Sequence, residues 1–154
     1  MLKNPIAEGD VCMRKIIVNT FITLDGVMQA PGGPEEDPTG GFEYGGWSVN
    51  YWDEMMAKVI MDEMMAKPFD LLLGRRTYEI FAAHWPFITN DPIAEKFNNT
   101  TKYVVSHQKA KLTWQNSVSV YGNIPAEIKK IRNEQGNDLL IQGSSVLLQT
   151  LLFK

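Results

Sequence analysis

Apolar residues in this chain follow two spacings. Short runs rich in β-branched and aromatic residues, closed off by turn residues, occur at 16–24, 69–73, 102–106, 117–121 and 138–142, and predict strands. Residues 112–115 are a candidate for one short strand more. Between these runs the spacing becomes helical. Asn50 is placed to cap a helix running to residue 65, with Asp53 at its third position and Trp52, Met56, Ile60 and Met64 repeating every four residues. Met55 and Val59 widen that stripe, and its methionines read as adaptable core filler. After Gly74, the residues Tyr78, Phe81, Ala82 and Trp85 fall at i, i+3, i+4 and i+7, and Pro86 marks the end. Asp91 and Pro92 open a short helix. Pro125 opens another, with Ile124, Ile128 and Ile131 on one face and Gly136 and Asn137 closing it; residues 146–152 form a last, short apolar helix. Strands alternating with helices predict an α/β fold with much parallel pairing and helices on both sheet faces.

Residues 25–47 break both patterns. They are turn chemistry: Asp25 and Gly26, Pro31 to Pro34 with two glycines between, Asp37 and Pro38, and two glycine pairs. An irregular segment of this length inside a compact domain is usually functional or disordered. Phe42, Tyr44 and Trp47 favour packing over a ligand or over the protein body. The acidic stretch 35–37 reads equally well as a solvated surface excursion.

The chain has 154 residues, 44% of them hydrophobic, enough for one domain with a sizeable core. Its net charge of −3, with no basic stretch longer than Arg75 and Arg76, gives no electrostatic footprint for nucleic acid. Cys12 stands alone, so no disulfide forms within the chain, and no cysteine or histidine cluster has metal-ligand spacing. No segment approaches the roughly 20 apolar residues of a membrane span, and a reducing cytoplasm is the expected location. Residues 1–12 are polar and non-periodic, and read as an upstream extension without a role, the domain beginning at Met13.

Candidate chemistry concentrates where strands give way to helices. Gly74, Arg75, Arg76 and Thr77 follow a buried-strand run and open a helix. Backbone N–H groups at a helix start have no intrahelical partner and the macrodipole there favours negative charge, so such a junction holds a phosphate by geometry. The two arginines would add charge-assisted bonds. Taken alone, this junction is equally consistent with a loop glycine and solvated arginines. Gly143, Ser144 and Ser145 form a second junction of the same kind, and Ser106 and His107 follow the third strand. Ligands of open α/β sheets sit beyond the carboxyl ends of the strands, which favours one nucleotide with several phosphates bridging these sites. The glycine spacing matches neither G-x-G-x-x-G nor a P-loop.

In order along the chain, the segments 16–18 with 24–27, 71–78, 103–106 and 140–145 resemble the dihydrofolate reductase superfamily. The closest likeness is the branch related to the reductase domain of the bifunctional riboflavin-biosynthesis deaminase-reductase. The resemblance covers residues 13 to about 152, and the Gly-Arg-Arg-Thr junction and Gly-Ser-Ser turn are its most specific parts. It implies a three-layer fold on a central mixed, mostly parallel sheet, a homodimer, and an NADPH-dependent reductase. Gly74, Arg75, Arg76 and Thr77 would bind cofactor phosphates, Ser106 would lie near the adenosine 2′-phosphate, and Gly143, Ser144 and Ser145 would grip the pyrophosphate. Asp25 matches the aspartate of the family's Leu-Asp-Gly segment and is the first catalytic candidate, facing the expected cleft; an Asp-Gly turn explains it equally well. Asp53 lies roughly where folate-reducing members carry their acid, with helix-start stabilisation as the alternative. His84 and His107 read as structural or surface residues, and 29–47 as a lid. The family's fold continues beyond the helix that follows Gly-Ser-Ser, so this domain is expected to lack its last strands, and either a partner chain covers the exposed edge, by dimerisation or strand exchange, or the chain is a truncated product with weak activity.

Three classes of function follow: an NADPH-dependent reductase of a pterin, a riboflavin-precursor pyrimidine or a similar small heterocycle; a nucleotide-binding or regulatory module on the same fold without turnover; and a structural domain that binds no nucleotide.

Overall fold

The computed structural model describes residues 13–153, so the extension expected at 1–12 lies outside the described residues. The strands are β1 (Ile16–Asn19), β2 (Phe69–Gly74), β3 (Lys102–Val105), β4 (Ser117–Val120) and β5 (Asp138–Gln142). They form one sheet in the order β1-β5-β2-β3-β4, and every pairing is parallel. The α/β architecture is as expected, while the antiparallel member of a mixed sheet does not occur among the described residues. The helices are α1 (Glu54–Val59), α2 (Arg75–His84), α3 (Pro92–Asn99), α4 (Ile124–Asn133) and α5 (Ser145–Leu152). None among the described residues is long and apolar enough to cross a membrane.

The alternation of β2 makes the three layers. Leu71 and Leu73 point into one core with Tyr78, Phe97 and Trp114; Leu72 points into the other with Ile128, Ile131, Ile141 and Leu147. All three leucines are fully buried, as the central strand of a parallel sheet covered on both faces requires.

Four local expectations are corrected. β1 stops at Asn19, not at residue 24: its partner β5 ends at Gln142, Gly143 donates the last bond to the Asn19 carbonyl (3.1 Å), and residues 23–27 close into a turn. The first helix begins after Asp53, whose carboxylate accepts from the Met56 N–H (2.8 Å), and Asn50 sits in the 3₁₀ turn Val49–Tyr51 before it. That helix widens into a π turn at Ile60–Met65. Residues 112–115 are not a strand, because the amides of Thr113 and Trp114 donate to the Tyr78 hydroxyl (3.0 and 2.9 Å).

Polar groups close the amino ends of the strands. Arg14, buried, pairs with the buried Asp70 on β2, donates to the Asn137 carbonyl and reaches the Tyr103 hydroxyl at 3.3 Å. Asn137 donates to the other Asp70 oxygen at 3.2 Å. Lys102, fully buried at the start of β3, donates to the carbonyls of Asn98 (2.9 Å), Thr100 (2.9 Å) and Gln115 (3.1 Å), with its ammonium 4.3 Å from the centre of the Trp114 ring. Burial pushes its pKa down to about 8.

Candidate functional site

Because all five strands run the same way, their carboxyl ends share one edge of the sheet. A cleft of about 1700 Å³ opens there, lined at its floor by Asn19, Gly74, Val105 and Gln142, the last residues of β1, β2, β3 and β5. The side chains of Asn19 and Gln142 meet across the strand pair at 3.0 Å.

Of the helices whose first residues line this cleft, α4 is capped by Asn123, but α2 and α5 carry no side-chain cap. At α2 the cap position is Gly74, which has no side chain to offer. Of its first-turn residues, Arg75 pairs with Glu79 one turn on (2.8 Å), and Arg76 reaches across to the loop, to Asp37 (2.9 Å) and the Thr39 hydroxyl (3.0 Å). Both guanidinium groups stay largely in solvent, so these pairs are weak and exchangeable. At α5 the cap position is Ser144, held in the left-handed region (φ 63°, ψ 62°) behind Gly143 (φ 69°). A Cβ on Gly143 would meet nothing within 4 Å, so the chain presents open backbone there. By contrast, α1, α3 and α4 are capped by Asp53, Asp91 and Asn123. The first-turn amides of α2 and α5 thus face one cleft with no side chain of their own helix closing them.

The two junctions are also joined to each other. The Ser144 hydroxyl accepts from the Gly74 N–H (2.9 Å) and shares a hydrogen with the Thr77 hydroxyl (2.6 Å). All eight residues expected to hold a cofactor, Gly74, Arg75, Arg76, Thr77, Ser106, Gly143, Ser144 and Ser145, line the cleft together. The Ser106 hydroxyl is turned to its own loop, where it donates to the Gln108 carbonyl.

The two aspartates stand elsewhere. Asp25 does not face the cleft, which corrects the expectation for its position: its carboxylate accepts from the Thr23 hydroxyl (2.5 Å) in an exposed turn, and its neighbours Gly26 and Val27 line the cleft instead. The Thr23 bond and then its own backbone N–H hold the Asp25 carboxyl below its ordinary value. Asp53 caps α1, and it too is absent from the lining. His84 and His107 are exposed on the cleft wall, His84 edge-on to Trp85.

The segment 29–47 folds on itself. Gln29 donates to the carbonyls of Asp37 and Thr39 (both 2.9 Å), the Trp47 indole donates to the Gln29 carbonyl (2.9 Å), and the Gly46 amide donates to Ala30 (2.8 Å). Gly45 is held so close to Pro34 that a Cβ would come 2.5 Å from its carbonyl oxygen. The loop therefore turns its Pro-Gly and acidic side, including Glu35 and Asp37, to the cleft, while Phe42, Tyr44 and Trp47 do not line it. Burial raises the Asp37 carboxyl, but bonds from Thr39 and Arg76 outweigh that and hold it below its ordinary value. Aromatic residues on the cleft lining are instead Phe21 and Trp52, whose rings sit 5.9 Å apart, and Phe81, Trp85 and Phe97. Among the described residues no group of three or more His, Cys, Asp or Glu side chains is placed to hold a metal ion.

The family model described as the RibD C-terminal domain matches residues 14–154. An uncharacterized protein of Bacillus subtilis (strain 168), YyaP, is 23% identical over 144 residues, spanning 90% of this chain and 68% of that protein.

Proposed function

The chain belongs to the RibD C-terminal domain family, a reductase-type domain, and from that premise we propose that it is an NADPH-dependent reductase of a small heterocycle of the pterin or riboflavin-precursor pyrimidine type. The observation that carries the proposal is the pair of uncapped helix starts on one cleft. Each offers unpaired amides and the positive end of a helix dipole, and each suits one phosphate. The fit to NADPH is favourable: the open backbone at Gly143 leaves room for a phosphate, and the guanidinium groups of Arg75 and Arg76 are themselves largely in solvent, where an incoming phosphate can reach them.

NADPH, when bound, supplies a hydride to the acceptor. The chain's tasks are to bind, orient and shield. The first turns of α2 and α5 hold the phosphates, with Arg75 and Arg76 answering their charge. Phe21 and Trp52 offer apolar ring faces against which a flat heterocycle stacks. The loop 29–47, tied to α2 through Asp37 and Thr39, keeps water from one side of the cleft. A homodimer is part of the same proposal: β1 has no partner on its outer edge among the described residues, and Ile17, Val18, Val146 and Leu152 are exposed.

A thermal-shift series with NADPH, NADH, FMN and folates tests the reading. NADPH should raise the melting temperature the most, by mass action on the folded state. Failure of every nucleotide to shift it at saturating concentration would leave the fold in place and remove the reductase. Light scattering tests the dimer, which a monodisperse monomer would exclude.

A further inference from the structure

Ser144 occupies a position where its backbone is at a disadvantage. Left-handed φ and ψ cost an L-residue with a side chain energy that glycine escapes, and Gly143 beside it already shows the glycine solution. The ordinary use of a serine before a helix is to cap that helix in an extended conformation. Ser144 does not cap α5. Its hydroxyl crosses to the other junction, where it takes the Gly74 N–H at 2.9 Å and meets the Thr77 hydroxyl at 2.6 Å. Gly74 and Thr77 are the cap and third positions of α2, the two positions that a capping box joins directly. Here the joining group is lent by a residue 70 positions further along the chain. Space for it exists because Gly74 has no Cβ: one would stand 3.0 Å from the Ser144 oxygen.

We propose that Ser144 is a positioning residue that locks the starts of α2 and α5 at a fixed separation, so that one dinucleotide engages both at once. By turning its hydroxyl away from α5 it also keeps that helix's first amides open to the cleft. The inference rests on the NADPH reading for its ligand, and on the Ser144 hydroxyl alone for its geometry.

Two readouts separate these parts. Without ligand, hydrogen exchange at the Gly74 amide should quicken roughly tenfold or more in Ser144→Gly and Ser144→Ala, since its acceptor is gone. Unchanged exchange would overturn the lock whatever the chain binds. With ligand, calorimetry compares NADPH, whose phosphates reach both junctions, with adenosine 2′-monophosphate, whose single phosphate reaches only one. Ser144→Gly should weaken NADPH about tenfold more than the fragment, because only the spanning ligand depends on the separation. Thr77→Val should show the same imbalance to a lesser degree, and Thr77→Ser should restore it to the parent value. Equal weakening of both ligands would make Ser144 an ordinary contact and overturn the proposal. A parent chain that binds neither ligand would overturn the reductase reading and the spanning role with it, leaving Gly74 exchange to judge the lock.

Discussion

The two ends of the parallel sheet treat polar groups in opposite ways. At the amino ends every buried charge is answered from within the chain: Arg14 by Asp70 and the Asn137 carbonyl, Lys102 by three carbonyls and the Trp114 face. At the carboxyl ends two helices begin without side-chain caps, and the guanidinium groups of the arginines beside them stay largely in solvent. Both ends are equally well anchored in the leucine-rich core of β2. The difference therefore lies in what the polar groups are for. On the proposed reading, the closed end contributes stability and the open end keeps donors for the nucleotide.

Substitutions should divide along the same line. The largest effect is expected at the closed end. Asp70→Ala strands the buried Arg14 and should destabilise by roughly 3–5 kcal/mol in urea unfolding; a loss below about 1 kcal/mol would deny that end its role. Lys102→Met removes the ammonium donor of the Thr100 and Gln115 carbonyls, while the Asn98 carbonyl keeps the side-chain amides of Gln115 and Asn116, and should cost roughly 1–3 kcal/mol, with NADPH affinity unaltered. At the open end the pattern reverses. Arg76→Gln should leave stability within about 0.5 kcal/mol while raising the Kd for NADPH by roughly tenfold. A large fall in melting temperature with unchanged Kd would erase the contrast.

Smaller effects sharpen it. Asp37 has a depressed carboxyl in the folded chain, so its tie to Arg76 is present above the ordinary carboxylate value and is lost as pH falls through the lower, folded-state value. Carboxyl NMR should give a midpoint below the ordinary aspartate value in the parent, moved back toward it in Arg76→Gln. Smallest of all is Asp25→Asn. With its carboxylate bonded to Thr23 in a solvent-exposed turn, kcat should change by less than about twofold, whereas a fall of roughly a hundredfold would return Asp25 to the chemistry.

Local pattern made much of this molecule legible. β2 followed by α2 and β5 followed by α5 are visible because a buried-strand run, a glycine and a helical stripe succeed one another within a few residues. The convergence of both junctions follows from strands that alternate with helices and run parallel. What the sequence did not reveal depends on distant partners. β1 ends at Asn19 because β5 ends opposite it, although residues 20–24 are as strand-like as those before. Asp37 meets Arg76 across 39 positions, and Ser144 meets Gly74 across 70. The aromatic residues of the 29–47 loop pointed to packing over a ligand or over the protein body, and they do not line the cleft: hydrogen bonds within the loop, donated by the Gln29 amide and the Trp47 indole, go with its acidic side lining the cleft instead. The Asp25 ambiguity had the same root, since an Asp-Gly turn and a catalytic aspartate look alike until the direction of the carboxylate is known.

Backbone amide NMR during a titration with NADPH reaches the shared-ligand claim most directly. The amides of Arg75, Arg76 and Thr77 and those of Ser145, Val146 and Leu147 should shift together along one saturation curve, while the amide of Lys102 at the far end stays in place. Shifts at only one helix start, or at the two starts with different midpoints, would contradict a single dinucleotide held between them.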